Sequence, residues 1–122
     1  GNGCEEYTFW NAILSDAGTS SWGWKQNALI RVDSKTGTAT DTPEYYAVKH
    51  FSNLVVSGTK VLQYKAKGED DLSVISFLTP EGKYLIVAGN YGNTLQQVTV
   101  QLGDRFLNVT LQAHSFNTFV VK

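Results

Sequence analysis

The sequence contains no methionine, one cysteine, two histidines and two prolines in 122 residues. Each scarcity excludes something. A lone Cys4 cannot close an internal disulfide, and with two histidines it makes no persuasive zinc set. No apolar run approaches the roughly 18 residues that a membrane span requires. Ten Lys and Arg against eleven Asp and Glu leave a net charge of −1, which excludes the usual strongly basic nucleic-acid binder. Without Met the chain is not expected to be a complete translation product. Gly1-Asn2 then arises by processing, by design of an expressed segment, or by cleavage from something longer. No cofactor motif is present.

What is abundant is apolar and aromatic. Hydrophobic residues make up 42%, with 3 Trp, 6 Tyr and 6 Phe, enough for a real core in one ordinary domain. The chain changes character near Thr59. Before it, segments are irregular. Tyr7 to Leu14 reads as a strand rich in β-formers. A polar loop, Ser15 to Ser21, leads to Trp22-Gly23-Trp24, and Ala28 to Val32 reads as a second strand. Thr42-Pro43-Glu44 is a helix start: Thr caps, Pro fits the first turn, and Glu complements the dipole. The helix is expected from Pro43 to about Asn53, with Tyr46, Ala47, His50, Phe51 and Leu54 on its apolar stripe.

After Thr59, short strands alternate with turns. They are Lys60–Lys65, Leu72–Leu78, Lys83–Ala88, Gln97–Leu102, Arg105–Leu111 and Phe116–Val121. Turn signals stand at Thr79–Gly82 and Asn90–Asn93. Six such strands predict an antiparallel β-sandwich. The fold class is therefore mainly β, with one α-helix.

Few residues carry obvious chemistry. Glu5-Glu6 is an adjacent carboxylate pair. Glycoside hydrolysis needs two carboxyls flanking one bond, roughly 5 Å or more apart, and strand neighbours point to opposite faces. Glu69-Asp70-Asp71 lacks calcium-loop spacing and reads as a charged hairpin turn. His50 lies on the helix stripe and reads as a satisfied, half-buried side chain. Nothing marks His114-Ser115 as a base and nucleophile. Cys4 is open to an intermolecular disulfide or to a partner in sequence not present here. Asn108-Val109-Thr110 is a glycosylation acceptor pattern, relevant if the chain is secreted.

The informative constellation is aromatic and amide-rich: Tyr7, Phe9, Trp10, Asn11, Trp22, Trp24, Gln26 and Asn27. Indole faces stack on sugar C–H faces, and amides pair with hydroxyls. Core packing is the competing reading, and it is preferred for Phe9.

Tyr7 to Leu14, Trp22 to Asp33 and Tyr45 to Gly58, in that order, together resemble the C-terminal part of family-30 glycoside hydrolases. The resemblance is to fungal endo-β-1,6-glucanase-like members and, more distantly, glucosylceramidases. Phe77 to Lys83 and His114 to Phe119 resemble a hairpin and final strand of the same family. The resemblance implies a (β/α)8 barrel with an attached β-sandwich. On that reading, residues 1–58 match the last β/α unit of the barrel and residues 59–122 the sandwich, together making one compact unit. It carries over Trp10 as lining the sugar site, with Trp22 or Trp24 on the following loop. The family's two catalytic glutamates lie on the fourth and seventh barrel strands, which would be upstream of Gly1. The chain alone therefore lacks the carboxylates of the retaining mechanism.

Two functions follow as expectations. One is a secreted, non-catalytic, lectin-like domain that binds a glycan or β-glucan through Trp10, Asn11, Trp22, Trp24 and Gln26. A homodimer would cover its apolar strand and helix. The other is the C-terminal piece of a secreted glycoside hydrolase, associated with its barrel chain. A purely structural role is a third.

Overall fold

The computed structural model describes residue 4, residues 6–68 and residues 71–122. Glu5, Glu69 and Asp70, singled out in the sequence, lie outside the described residues. The chain divides into two compact units, Gly1–Lys49 and His50–Lys122.

The first unit holds a three-stranded sheet of β1 (Ile13–Ser15), β2 (Ile30–Val32) and β3 (Ala39–Asp41), in that order. β1 pairs with β2 in parallel, and β2 with β3 in antiparallel register. A parallel pair cannot be closed by a tight turn and needs a crossover of about a dozen residues or more. Residues 16–29 are that crossover, and they carry Trp22 and Trp24. The strand expected over Tyr7–Leu14 is regular only from Ile13. Asn11, at φ +67°, is not in a strand conformation, so no regular strand runs through it. Asn is among the few side chains that tolerate this region.

Helix α1 (Pro43–Ser52) begins as the sequence predicts. Thr42 Oγ1 accepts from the Tyr45 N–H at 3.4 Å. The same hydroxyl lies 2.8 Å from the Ala28 carbonyl oxygen and 3.0 Å from that of Leu29, to either of which it can donate. One side chain thus caps the helix and ties it to the chain before β2. Tyr46 departs from the expected stripe and is exposed. Its edge-on contact is with Tyr45, whose ring also lies beneath Lys49 Nζ.

In the second unit all six expected strands form: β4 (Lys60–Leu62), β5 (Leu72–Leu78), β6 (Tyr84–Asn90), β7 (Gln96–Leu102), β8 (Arg105–Leu111) and β9 (Ser115–Val121). They make an antiparallel sheet in the order β4-β5-β6-β9 and an antiparallel pair β7-β8. β8 lies against β6 and β9, giving the two layers of a sandwich. β6 is buried from Leu85 to Asn90, because both of its faces are covered. On one face Phe77, Leu85 and Val87 form a core joined by Phe51, Val55 and Ile75. Ile86 and Ala88 point to the other face, and both are buried, as is Leu111 on β8. A strand covered on both sides reads as a continuous apolar run, which explains Leu85-Ile86-Val87-Ala88. β7 instead alternates half-buried and exposed along its whole length, so its outer face is solvated.

The turn at Thr79–Gly82 follows its residue types. The Gly82 N–H donates to the Thr79 carbonyl at 3.0 Å, with Pro80 at the second position and Gly82 at φ +78°. That is a tight turn closed by a left-handed residue.

Candidate functional site

The aromatic and amide residues expected to meet a sugar all lie in the first unit. The crossover folds back on itself as a short hairpin. Gln26 N–H donates to the Gly18 carbonyl at 2.8 Å, Ser20 N–H to the Trp24 carbonyl at 2.9 Å, and Thr19 bridges Lys25 in antiparallel fashion. Gly23 closes the tip: its N–H donates to the Ser20 carbonyl at 2.9 Å, and its φ is +75°. No other atom lies within 4 Å of where a Cβ would stand, so conformation rather than space demands glycine there.

Ser20 organises this tip. Its Oγ accepts from the N–H groups of Trp22 at 3.3 Å and Trp24 at 3.2 Å. The two indoles stand 5.8 Å apart, centre to centre, tilted by 38°. They are 76% and 68% exposed. Neither ring is packed into the core of the described residues. They form a paired, solvent-facing aromatic surface of the kind that stacks on apolar faces.

At the hairpin's base, Asn11 Nδ2 donates to Gln26 Oε1 at 3.1 Å. Gln26 and Trp24 stand two residues apart on one arm, so their side chains share a side of the hairpin. The Asn11–Gln26 bond occupies one donor and one acceptor. Each amide keeps further hydrogen-bonding capacity. Trp10 precedes Asn11 and is 78% exposed. Among the described residues no ring contact joins it to the Trp22–Trp24 pair. Phe9 is half-buried and edge-on to Tyr7 at 6.3 Å.

The crossover is anchored where it leaves β1. Asp16 N–H donates to the Val32 carbonyl at 2.8 Å, and its Oδ1 accepts from the Ser34 N–H at 3.1 Å. Hydrogen bonds from Ser34 hold the Asp16 carboxyl below its ordinary value. Asp33 does the same for the β2–β3 connection. Its Oδ1 accepts from the N–H groups of Thr36 at 2.9 Å and Lys35 at 2.8 Å, and these lower its pKa. Asp16 and Ser20 are positioning residues that the sequence reading passed over. Their signal was present: a short polar side chain at each end of a turn, where it competes for backbone N–H groups.

The remaining candidates fall elsewhere. His50 is half-buried, with Nδ1 2.7 Å from Thr118 Oγ1, and its ring lies beside Phe116. His114 Nε2 meets Asn93 Oδ1 at 2.9 Å, and His114 adopts φ +51°. Asn108 is exposed on β8. Cys4 is exposed and a free thiol. Among the described residues no three His, Cys, Asp or Glu stand together as metal ligands, and no helix is long and apolar enough to cross a membrane. Neither described sheet unit contains an eight-stranded barrel.

Known proteins bear on this arrangement. The chain is 25% identical over 117 residues to the lysosomal acid glucosylceramidase of Mus musculus, covering 93% of this chain and 22% of the mouse protein. The crystal structure of SrfJ from Salmonella typhimurium superposes with a TM-score of 0.84 at 23% identity, over 91% of this chain and 25% of that one. An endo-β1,6-glucanase superposes with a TM-score of 0.79 at 20% identity, over 92% of this chain and 26% of that one. The chain thus spans about a quarter of the length of these relatives, and the two structural likenesses show the fold. Residues 58–119 match the glycosyl hydrolase family 30 beta sandwich domain, and the chain belongs to that family.

Proposed function

We propose that this chain binds carbohydrate and is not catalytic by itself. The observation that carries the reading is the exposed Trp22–Trp24 pair, held by Ser20 on a hairpin whose base joins Asn11 to Gln26. Two indole faces offer a stacking platform, and the amides offer donors and acceptors for ring hydroxyls. Trp10, next to Asn11 in sequence, offers a further exposed indole. The ligand class is a β-linked glucan or a related glycan, in keeping with the names of the relatives. The chain is read as secreted and as fungal in type. In the lectin-like form a second copy covers exposed apolar side chains such as Ile13 and Tyr46.

A second reading is favoured by the shared length: the match takes in about a quarter of each relative. Here the chain is one part of a longer hydrolase. The hairpin lines a cleft, and a barrel supplies both carboxylates of a retaining mechanism.

Glycan binding by the full chain tests the first reading. Binding to insoluble β-1,6-glucan is expected for the wild type and lost in W22A and W24A, with folding unchanged by circular dichroism. Equal retention of all three proteins would remove the hairpin from the account. Glucanase activity that appears only with a larger companion chain would favour the second reading.

A further inference from the structure

One row of side chains on the sandwich takes no part in the tryptophan hairpin. Along β8, Phe106, Asn108 and Thr110 are exposed, while Leu107 and Val109 are half-buried. Alternation puts the three exposed side chains on the outer face, each about 7 Å from the next. Across the pair they face Gln101, Thr99 and Gln97 of β7. Phe106 is 64% exposed on this otherwise polar face. A single exposed aromatic is ordinary on a protein surface. Its position is what matters: two residues before an Asn whose acceptor pattern is completed by Thr110, all on one face.

We propose that Asn108 is an N-glycosylation site whose first sugar stacks on Phe106. The proposal rests on the reading of the chain as a secreted protein. The donor is an oligosaccharide linked to a lipid pyrophosphate. Asn108 Nδ2 forms a bond to C1 of the terminal N-acetylglucosamine as the C1–O bond to pyrophosphate breaks. The lipid pyrophosphate leaves with the electron pair, and the amide gives one proton to a base of the transferase. Thr110 supplies the hydroxyl that the acceptor pattern requires.

In the folded hairpin, Asn108 Oδ1 accepts from Thr99 Oγ1 at 2.7 Å. That bond uses the amide atom that carries no sugar and fixes the amide plane, leaving Nδ2 for the glycan. The Phe106 ring then lies within reach of the sugar's apolar face. The glycan covers an aromatic that is otherwise solvated, and the modified hairpin gains stability.

Translation of the chain behind a cleavable signal peptide, with microsomes present, tests the site. Only protease-protected chains are scored, which separates failure of entry from failure of modification. Protected wild-type chains are expected to carry mass removable by peptide-N-glycosidase, and N108Q and T110A to carry none. Protected wild-type chains without that mass overturn the proposal. Stacking is read from melting temperatures of the glycosylated protein and N108Q, each with and without F106A. The glycan is expected to raise the melting temperature by a few degrees when Phe106 is present, and not in F106A. An equal rise in both backgrounds overturns the stacking. An unmodified Asn108 in natural protein recovered from the secretory route overturns the proposal, whereas natural protein found outside that route counts against the secreted reading.

Discussion

Asn11 donates its side-chain amide to Gln26 Oε1 at 3.1 Å, joining the segment before β1 to the far arm of the tryptophan hairpin. The same Asn11 holds a left-handed backbone at φ +67°. One residue therefore both turns the backbone ahead of β1 and fixes the base of the candidate site.

Those two roles separate by substitution. N11G keeps the backbone conformation and loses the amide bond. N11A loses the bond and also places a Cβ in the left-handed region, at a further cost of about 1–2 kcal/mol. Urea unfolding should rank the proteins as wild type, N11G, then N11A, and both variants should bind glycan more weakly. N11A equal in stability to N11G would contradict the strained-backbone role.

Asn90 is the buried polar anchor of the sandwich, 1% exposed at the end of β6. Its Nδ2 faces the carbonyl oxygens of Thr94 at 2.8 Å, Gln112 at 3.0 Å and Leu111 at 3.2 Å, and its Oδ1 accepts from Gly92 N–H at 3.0 Å. Alanine there leaves several buried backbone groups unpaired, each costing about 1–3 kcal/mol. N90A should lose about 3 kcal/mol or more in chemical denaturation. A loss under about 1 kcal/mol, within the range of an ordinary surface change, would show that the network does not matter.

Asp33 gives a pH dependence with a definite sign. Its carboxyl is held below the ordinary 3.8 by hydrogen bonds from Thr36 and Lys35. The folded state thus favours the charged form more than the unfolded state does. That contribution is present above pH 3.8 and is lost as pH falls through the lower folded value. D33N keeps an acceptor oxygen but removes the charge. The stability gap between wild type and D33N should be open at neutral pH and close in acid below 3.8. A gap unchanged across that range would mean that the charge contributes nothing.

The sandwich was legible because its signals are local. Val98 and Val100 alternate with Gln97, Thr99 and Gln101, and Pro80 and Gly82 punctuate a turn. All six strands after Thr59 follow from such patterns. The irregular first unit was less legible because its order depends on contacts distant in sequence. Tyr7 to Leu14 has strand composition throughout, but Asn11 turns the backbone and bonds to Gln26 fifteen residues away. The parallel pairing of β1 with β2 is likewise invisible in either strand alone. For the site, residue types identified the tryptophans and amides. They did not identify Asp16 or Ser20, whose importance comes from which N–H groups their oxygens reach. Asn90 has the residue type of a turn, and its burial depends on Leu111 and Gln112, two strands later in the chain.

The most direct test of the account is an NMR titration of the full chain with soluble β-1,6-gluco-oligosaccharide. Three tryptophans give three indole N–H signals, assigned with W10A, W22A and W24A. The account predicts that the Trp22 and Trp24 signals shift together and saturate at one affinity, with Trp10 responding at the same affinity. Indole signals that stay fixed at saturating sugar, in a protein that remains folded, would contradict it.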